Sequence, residues 1–165
     1  MEVDAIILPQ KLSEKLKEKA EETDYLPEEL AVEMLFKSLG QELDPEELVK
    51  HYQALSEKYL KDAKEFMSKG DLVQASEKLW GATALKVKMV AAKRGLKLEK
   101  HGSMWSFISK LSIESEDEDI VRFFNTANAL HKNFYENEMD QRALEISAKD
   151  IEKLIEKLKR ISIDL

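Results

Sequence analysis

The sequence predicts an all-α protein, an antiparallel up-and-down helical bundle that carries an N-terminal strand-helix-helix arm. The composition is 43% hydrophobic and 36% charged, with five glycines and three prolines, which is typical of long amphipathic helices. Apolar residues recur at steps of three and four along most of the chain, as one buried helix face requires. A length of 165 residues suits one compact domain with a small appendage.

Residues 1–43 are predicted to form the arm. A short apolar strand leads to a turn at Pro9, and two helices follow over about Gln10 to Glu22 and Pro27 to Leu39. Proline followed by two glutamates is a favourable helix start. This order resembles the ribbon-helix-helix unit, in which two chains pair their strands and interlock their helices. A lone strand cannot satisfy its own backbone groups, so the resemblance implies a homodimer.

The arm lacks the chemistry that would read DNA. Ribbon-helix-helix DNA-binding regulators point alternate strand side chains at base edges, and here neither alternate set offers a hydrogen-bond donor: Glu2, Asp4 and Ile6 on one face, and Val3, Ala5 and Ile7 on the other. Residues 1–43 also hold eleven acids against five lysines. Since nucleic-acid affinity depends on neutralising phosphates, duplex DNA is not an expected partner. A DNA-binding regulator remains an alternative function.

Residues 44–165 are predicted to form the bundle. Asp44 is an N-cap residue and Pro45 takes the first helical position, so the first bundle helix starts here and ends near Gly70. Asp71 caps the next helix, which runs to Gly95. This helix carries two apolar rows, which predicts a central helix buried on two sides.

Three further helices complete the predicted bundle. A short helix contains Trp105, and a long one follows the acidic segment "SIESEDEDI", whose carboxylates suit the positive end of a helix dipole. The last helix is predicted to start at Ser147. Short loops between these helices favour the antiparallel arrangement.

Several classes of chemistry are excluded by what the sequence lacks. There is no cysteine, the five glycines stand singly rather than in a phosphate-binding loop, and no two histidines have the spacing of a zinc site. We therefore expect no cofactor and no metal. No apolar run is long enough to span a membrane and no secretory leader is evident, so a cytoplasmic protein without a membrane partner is expected.

A longer resemblance covers about residues 48 to 160. The segments "ASEKLWGATALKVKMVAAKRGLKLEKHGSMWSFISKL" and "FFNTANALHKNFYENEM" follow each other in an order that resembles the archaeal PaREP family, which is grouped with the HEPN proteins. HEPN proteins are an all-α class of nucleotide-binding and RNA-cleaving domains. The resemblance implies a HEPN-like bundle that binds a nucleotide, an RNA or a partner protein, such as the nucleotidyltransferases that HEPN relatives accompany.

The catalytic motif of that class is missing. RNA-cleaving HEPN proteins resemble one another in an Arg-polar motif followed by a histidine, often Arg-Asn-x-x-x-His. The pattern falls on "KNFYEN", where Lys132 replaces the arginine, Asn133 matches, and Asn137 replaces the histidine. A carboxamide cannot carry a proton at neutral pH. We therefore expect no catalytic residues and a non-catalytic binding module, with a divergent, metal-independent endoribonuclease using His131 or His101 with Lys132 as an alternative.

The candidate ligand site combines aromatic rings with neutral donors, which suits a nucleobase. Its members are Trp80, His101, Asn128, His131, Asn133 and Tyr135. Cations for a phosphate would come from the end of the central helix: Lys86, Lys88, Lys93 or Arg94. The competing interpretation makes His131 a core histidine and the two tryptophans core anchors.

Overall fold

Seven helices build the described part of the chain. A computed structural model describes residues 5–23, 25–42, 44–100 and 102–164, and in these ranges it contains the following helices: α1 (Gln10–Glu21), α2 (Pro27–Ser38), α3 (Pro45–Ser68), α4 (Leu72–Lys93), α5 (Ser103–Ser115), α6 (Asp119–Glu136) and α7 (Gln141–Ile163). The chain divides into two compact units. The arm comprises Met1–Leu43 with Glu99–His101, and the bundle comprises Asp44–Leu98 with Gly102–Leu165.

The arm consists of the two short helices α1 and α2, which contact each other. Pro27 occupies the first turn of α2, and the carboxylate of Glu29 accepts a hydrogen bond from the backbone N–H of Leu26 at 3.2 Å. That bond satisfies one of the donors that a helix start leaves open. The helix start predicted at Pro27 is therefore confirmed.

The predicted N-terminal strand is wrong. Residues 5–9 form no strand, and no strand occurs elsewhere in the described ranges. Ile6 and Ile7 are 72% and 96% exposed, so they extend into solvent without a neighbouring strand to satisfy their backbone. The proposed alternate faces also included Glu2, Val3 and Asp4, which lie outside the described residues. Strand pairing therefore no longer supports a dimer.

The bundle starts where its capping residues predict. Asp44 accepts a hydrogen bond from the backbone N–H of Glu46 and begins α3, and Asp71 accepts one from Gln74 and begins α4. Between these helices, Gly70 adopts φ +75°, a left-handed conformation that a side chain would strain. Glycine therefore allows α3 to stop and α4 to start within three residues.

Helix α4 is the centre of the bundle and contacts α3, α5, α6 and α7. Every residue from 81 to 92 is buried, including Lys86 and Lys88. A helix buried on all sides agrees with its two apolar rows. The helical bundle is thus consistent with the predicted architecture.

The final helix starts six residues earlier than predicted. Asp140 caps α7 by accepting a hydrogen bond from the backbone N–H of Ala143 at 2.8 Å, so the helix begins at Gln141 rather than at Ser147. The earlier start brings Leu144 into the core, where it is fully buried. Among the described residues, no helix is long and apolar enough to cross a membrane.

Candidate functional site

The candidate site lies where α4 packs against α6. Trp80 projects from α4, while His131 and Tyr135 project from α6, one helical turn apart. Residues four positions apart lie on the same face of a helix, so Tyr135 lies beside His131, which contacts α4. The structure therefore brings together three of the six predicted ligand-site residues, and we call Trp80, His131 and Tyr135 the aromatic cluster.

Contacts among the rings of the aromatic cluster hold each ring in position. The imidazole of His131 stacks on the indole of Trp80, with ring centroids 4.8 Å apart and planes inclined by 28°. Tyr135 meets His131 edge to face, with centroids 5.5 Å apart. Stacked and edge-to-face pairs are the favourable geometries of aromatic rings. His131 is thereby held in place although 38% of its side chain is exposed.

A hydrogen bond to a carboxylate fixes the direction in which the ring nitrogens of His131 point. Its Nδ1 lies 3.3 Å from Oε2 of Glu77, which is one turn before Trp80 on α4. When Nδ1 donates its proton to this carboxylate, Nε2 is left as an acceptor directed away from it. The site thus offers a part-exposed imidazole whose plane and orientation are both set by α4.

The cluster is continuous with the core through Phe124. This ring lies 6.1 Å from Trp80 and 4.6 Å from Trp105 of α5, and it is 1% exposed. At the other end, Tyr135 is 57% exposed and meets Phe134 at 5.0 Å. One end of the aromatic series is therefore anchored in the core, and the other end reaches solvent.

Asn133 is placed away from the aromatic cluster. It is 3% exposed, its Nδ2 donates to Oγ of Ser76, and its Oδ1 accepts from the backbone N–H groups of Glu138 and Met139, each at 2.8 Å. These bonds use its side chain to fasten the α6–α7 connection onto α4. Asn133 therefore holds the fold in this structure and presents no donor to a ligand.

Asn128 and His101 are the other two predicted ligand-site residues. Asn128 is half-buried, and its Nδ2 donates to the backbone carbonyl of Phe124 at 3.3 Å, so its amide is used within α6. His101 lies outside the described residues.

The two positions that would carry ribonuclease chemistry serve other purposes here. Asn137 ends α6 with φ +49°, the left-handed conformation that asparagine tolerates, and its backbone N–H bonds to the carbonyl of Asn133. Lys132 is exposed and pairs with Glu136 at 3.3 Å, one turn along α6. Arg122 pairs with carboxylates at the start of the same helix.

Three of the four cations predicted for a phosphate bond to groups on other helices. Lys86 donates to Oε1 of Gln53 on α3, Lys93 donates to the carbonyl of Ser162 on α7, and Arg94 pairs with Glu114 on α5. Burial lowers the pKa of Lys86 below its usual value. Lys88 is 4% exposed. The sequence analysis offered these cations to a phosphate, whereas Lys86, Lys93 and Arg94 bond to residues of neighbouring helices.

The acidic segment before α6 is a structural turn. Asp117 accepts a hydrogen bond from Nζ of Lys157 at 2.6 Å and another from the backbone N–H of Asp119. The bond from Lys157 is the main reason that the pKa of Asp117 lies below its usual value. In the described ranges, no three histidine or acidic side chains are grouped in a way that could hold a metal ion.

Sequence reasoning missed two polar partners on α4. Ser76 accepts the bond from Asn133, and Glu77 orients His131. Helix periodicity carried a signal for the second of these, because Glu77 and Trp80 are three positions apart and share a face. No comparable signal marked Ser76, whose partner lies 57 residues along the chain.

Comparison with known proteins identifies the bundle. Residues 51–155 match the archaeal PaREP1/PaREP8 family, and these residues run from the second turn of α3 into α7. No curated protein and no solved structure matches the chain. Because the match covers well over half of the sequence, the chain belongs to the archaeal PaREP1/PaREP8 family.

Proposed function

We propose that this protein is a non-catalytic, HEPN-like binding module that holds a nucleobase, in a nucleotide or in single-stranded RNA, at the aromatic cluster. The observation that carries the proposal is the exposed imidazole of His131, stacked on Trp80 and bonded to Glu77. A flat ring that is already fixed loses little conformational freedom when a base stacks on it.

The charges around the cluster favour recognition of the base over recognition of phosphate. The nearest lysines along the two helices are Lys78, which lies over the ring of Tyr59 and near Asp62, and Lys132, which pairs with Glu136. Each lysine is already neutralised by a carboxylate. We therefore expect a weak salt dependence, since few counterions are released on binding. The logarithm of the association constant should fall with the logarithm of salt concentration with a slope of about one or less.

The absence of catalysis follows from the same residues. Proton transfer at an RNA 2′-hydroxyl and stabilisation of phosphate charge require an acid or base beside a free cation. Here Asn137 occupies the expected position of the histidine, and Lys132 and Arg122 are each paired with carboxylates. Nδ1 of His131 faces the carboxylate of Glu77 rather than a cation.

The test compares two adjacent side chains of α6. His131→Ala removes the stacked ring, and Lys132→Ala removes an exposed cation on a different face of the same helix. Purified wild-type protein and both variants are titrated with mononucleotides and with short single-stranded RNA, while tryptophan fluorescence reports on Trp80. We expect His131→Ala to weaken binding by about tenfold or more, which corresponds to the loss of one stacking contact, and Lys132→Ala to leave it unchanged.

The same samples decide between binding and cleavage. Incubation with structured RNA in the presence of a chelator should leave the RNA intact for all three proteins. If the wild-type protein cuts RNA and either variant abolishes cutting, the endoribonuclease alternative replaces the proposal. If neither nucleotides nor RNA alter the fluorescence or the His131 resonances, the aromatic cluster is not a nucleobase site.

A further inference from the structure

Exposed large hydrophobic side chains are more concentrated in the arm than in the bundle. Among the described residues, thirteen large hydrophobic side chains are exposed, and seven of them lie between residues 6 and 39. These seven are 38% to 96% exposed: Ile6, Ile7, Leu8, Leu12, Met34, Leu35 and Leu39. Scattered single hydrophobic residues are normal on a surface, but seven within one short unit indicate a surface that another molecule covers.

The arm has a small core of its own. Among its described residues, the buried apolar side chains are Ala20, Leu26 and Leu30, and small units are often supported by disulfides, a metal or association with another chain. The sequence contains no cysteine, and no metal-binding group occurs in the described ranges. A second chain that packs on the arm would cover the exposed side chains.

The charges of the two helices favour a second copy of the same chain. Helix α1 carries four lysines and three glutamates, whereas α2 carries three glutamates and one lysine. In a two-fold symmetric dimer, α1 of each copy can pack against α2 of the other. Each of these two contacts pairs a net positive helix with a net negative one. Both helices expose leucine for this contact, with Leu12 at 53% and Leu35 at 49%.

A membrane surface fits the same residues less well. Residues 1–43 contain eleven acids and five lysines, and a net negative unit is repelled by anionic lipid headgroups. We propose that the exposed apolar faces of α1 and α2 form the interface of a homodimer, in which α1 of one chain packs on α2 of its partner. This proposal needs no strand pairing and does not depend on the aromatic cluster.

Sedimentation equilibrium of the full-length protein tests the dimer. We expect a species of twice the 19.0 kDa chain mass. Leu12→Glu and Leu35→Glu should each raise the dimer dissociation constant by at least about tenfold, because each buries a charge in an apolar contact. Ile113→Glu on α5 is the matched control, since Ile113 is 75% exposed and lies in the bundle. Circular dichroism confirms that every variant is folded.

Three outcomes would overturn the proposal: a monomer at concentrations of about 100 µM, a dimer insensitive to both arm variants, or a dimer dissociated by Ile113→Glu alone. A monomer that floats with anionic vesicles and loses this property in Leu12→Glu would assign the apolar face to lipid instead.

Disulfide trapping tests the arrangement, because the natural chain has no cysteine. Leu12→Cys and Leu35→Cys proteins are oxidised separately and as a mixture. The mixture should cross-link several times faster than either protein alone, and Ile113→Cys should not cross-link with either. Faster trapping of Leu12→Cys with itself would overturn the α1-on-α2 packing.

Discussion

Replacing Asn133 by alanine should destabilise the bundle strongly, although the sequence analysis placed this residue in a ligand site. Its side chain makes three hydrogen bonds of 2.8 Å, to Ser76 on α4 and to the backbone N–H groups of Glu138 and Met139 after α6. The residue is 3% exposed, so water cannot replace its carboxamide without a rearrangement. Alanine would remove all three bonds and leave a small cavity.

The size of the destabilisation depends on which polar groups lose a hydrogen-bond partner. Leaving a buried polar group unsatisfied costs about 1–3 kcal/mol, but Glu138 is exposed and Met139 is half-buried, so their N–H groups regain some hydration. Ser76 keeps its own donation to the carbonyl of Leu72. We therefore expect a loss of about 2–4 kcal/mol in the free energy of unfolding, towards the upper range of single substitutions.

Urea unfolding followed by tryptophan fluorescence measures this loss. Both tryptophans, Trp80 and Trp105, lie in the bundle, so the signal reports unfolding of that unit. Asn125→Ala is the matched control, because Asn125 is an exposed asparagine on the same helix and should change stability by less than about 0.5 kcal/mol. An Asn133→Ala protein as stable as the control, with ligand binding lost, would refute the structural role argued from these contacts.

Two further predictions concern charge and pH. Lys86→Met should stabilise the protein by about 1 kcal/mol at neutral pH, because burial lowers the pKa of Lys86 and thus penalises its charged form. Wild-type stability rises as pH increases from this lowered pKa towards 10.5, so the advantage of the variant in urea unfolding should shrink over that range. A constant advantage would contradict the argument. Asp117→Asn should destabilise the protein at neutral pH, because Lys157 lowers the pKa of Asp117 in the folded state. The stabilisation by the ionised Asp117 is present above the ordinary pKa of 3.8 and is lost as pH falls through the lowered pKa, so the melting temperatures of variant and wild type should converge in acid. A difference in melting temperature that persists in acid would exclude the Lys157 bond as its cause.

Sequence reasoning worked best where local rules decide the structure. Asp44 and Asp71 cap α3 and α4 as predicted, since an N-cap depends on residues within one turn. The start of α7 was missed because Ser147 also offers a capping pattern, and only the structure shows that Asp140 caps the helix earlier. The N-terminal strand failed because apolar residues alone do not supply the neighbouring strand that a sheet requires.

Long-range partners account for the errors at the candidate site. Trp80 and His131, which the sequence analysis grouped in one candidate site, stack on each other where α4 packs against α6. Lys86 and Lys93 were expected to be available to a phosphate, but their side chains hydrogen-bond across to α3 and α7. Burial of a lysine depends on how neighbouring helices approach, and this information is not local in sequence.

Within the segment 128–139, helix geometry directs the residues of the candidate site and the residue that stabilises the fold to opposite sides of α6. Each residue turns the helix by about 100°, so Tyr135 lies about 40° from His131, whereas Asn133 lies about 200° from it and faces the opposite side. The structure shows the consequence: His131 stacks on Trp80 and meets Tyr135 edge to face, while Asn133 is buried against Ser76. A substitution on one side should therefore change ligand binding, and a substitution on the other should change stability. Because the two effects have separate assays, the functional proposal and the structural role of Asn133 can fail independently.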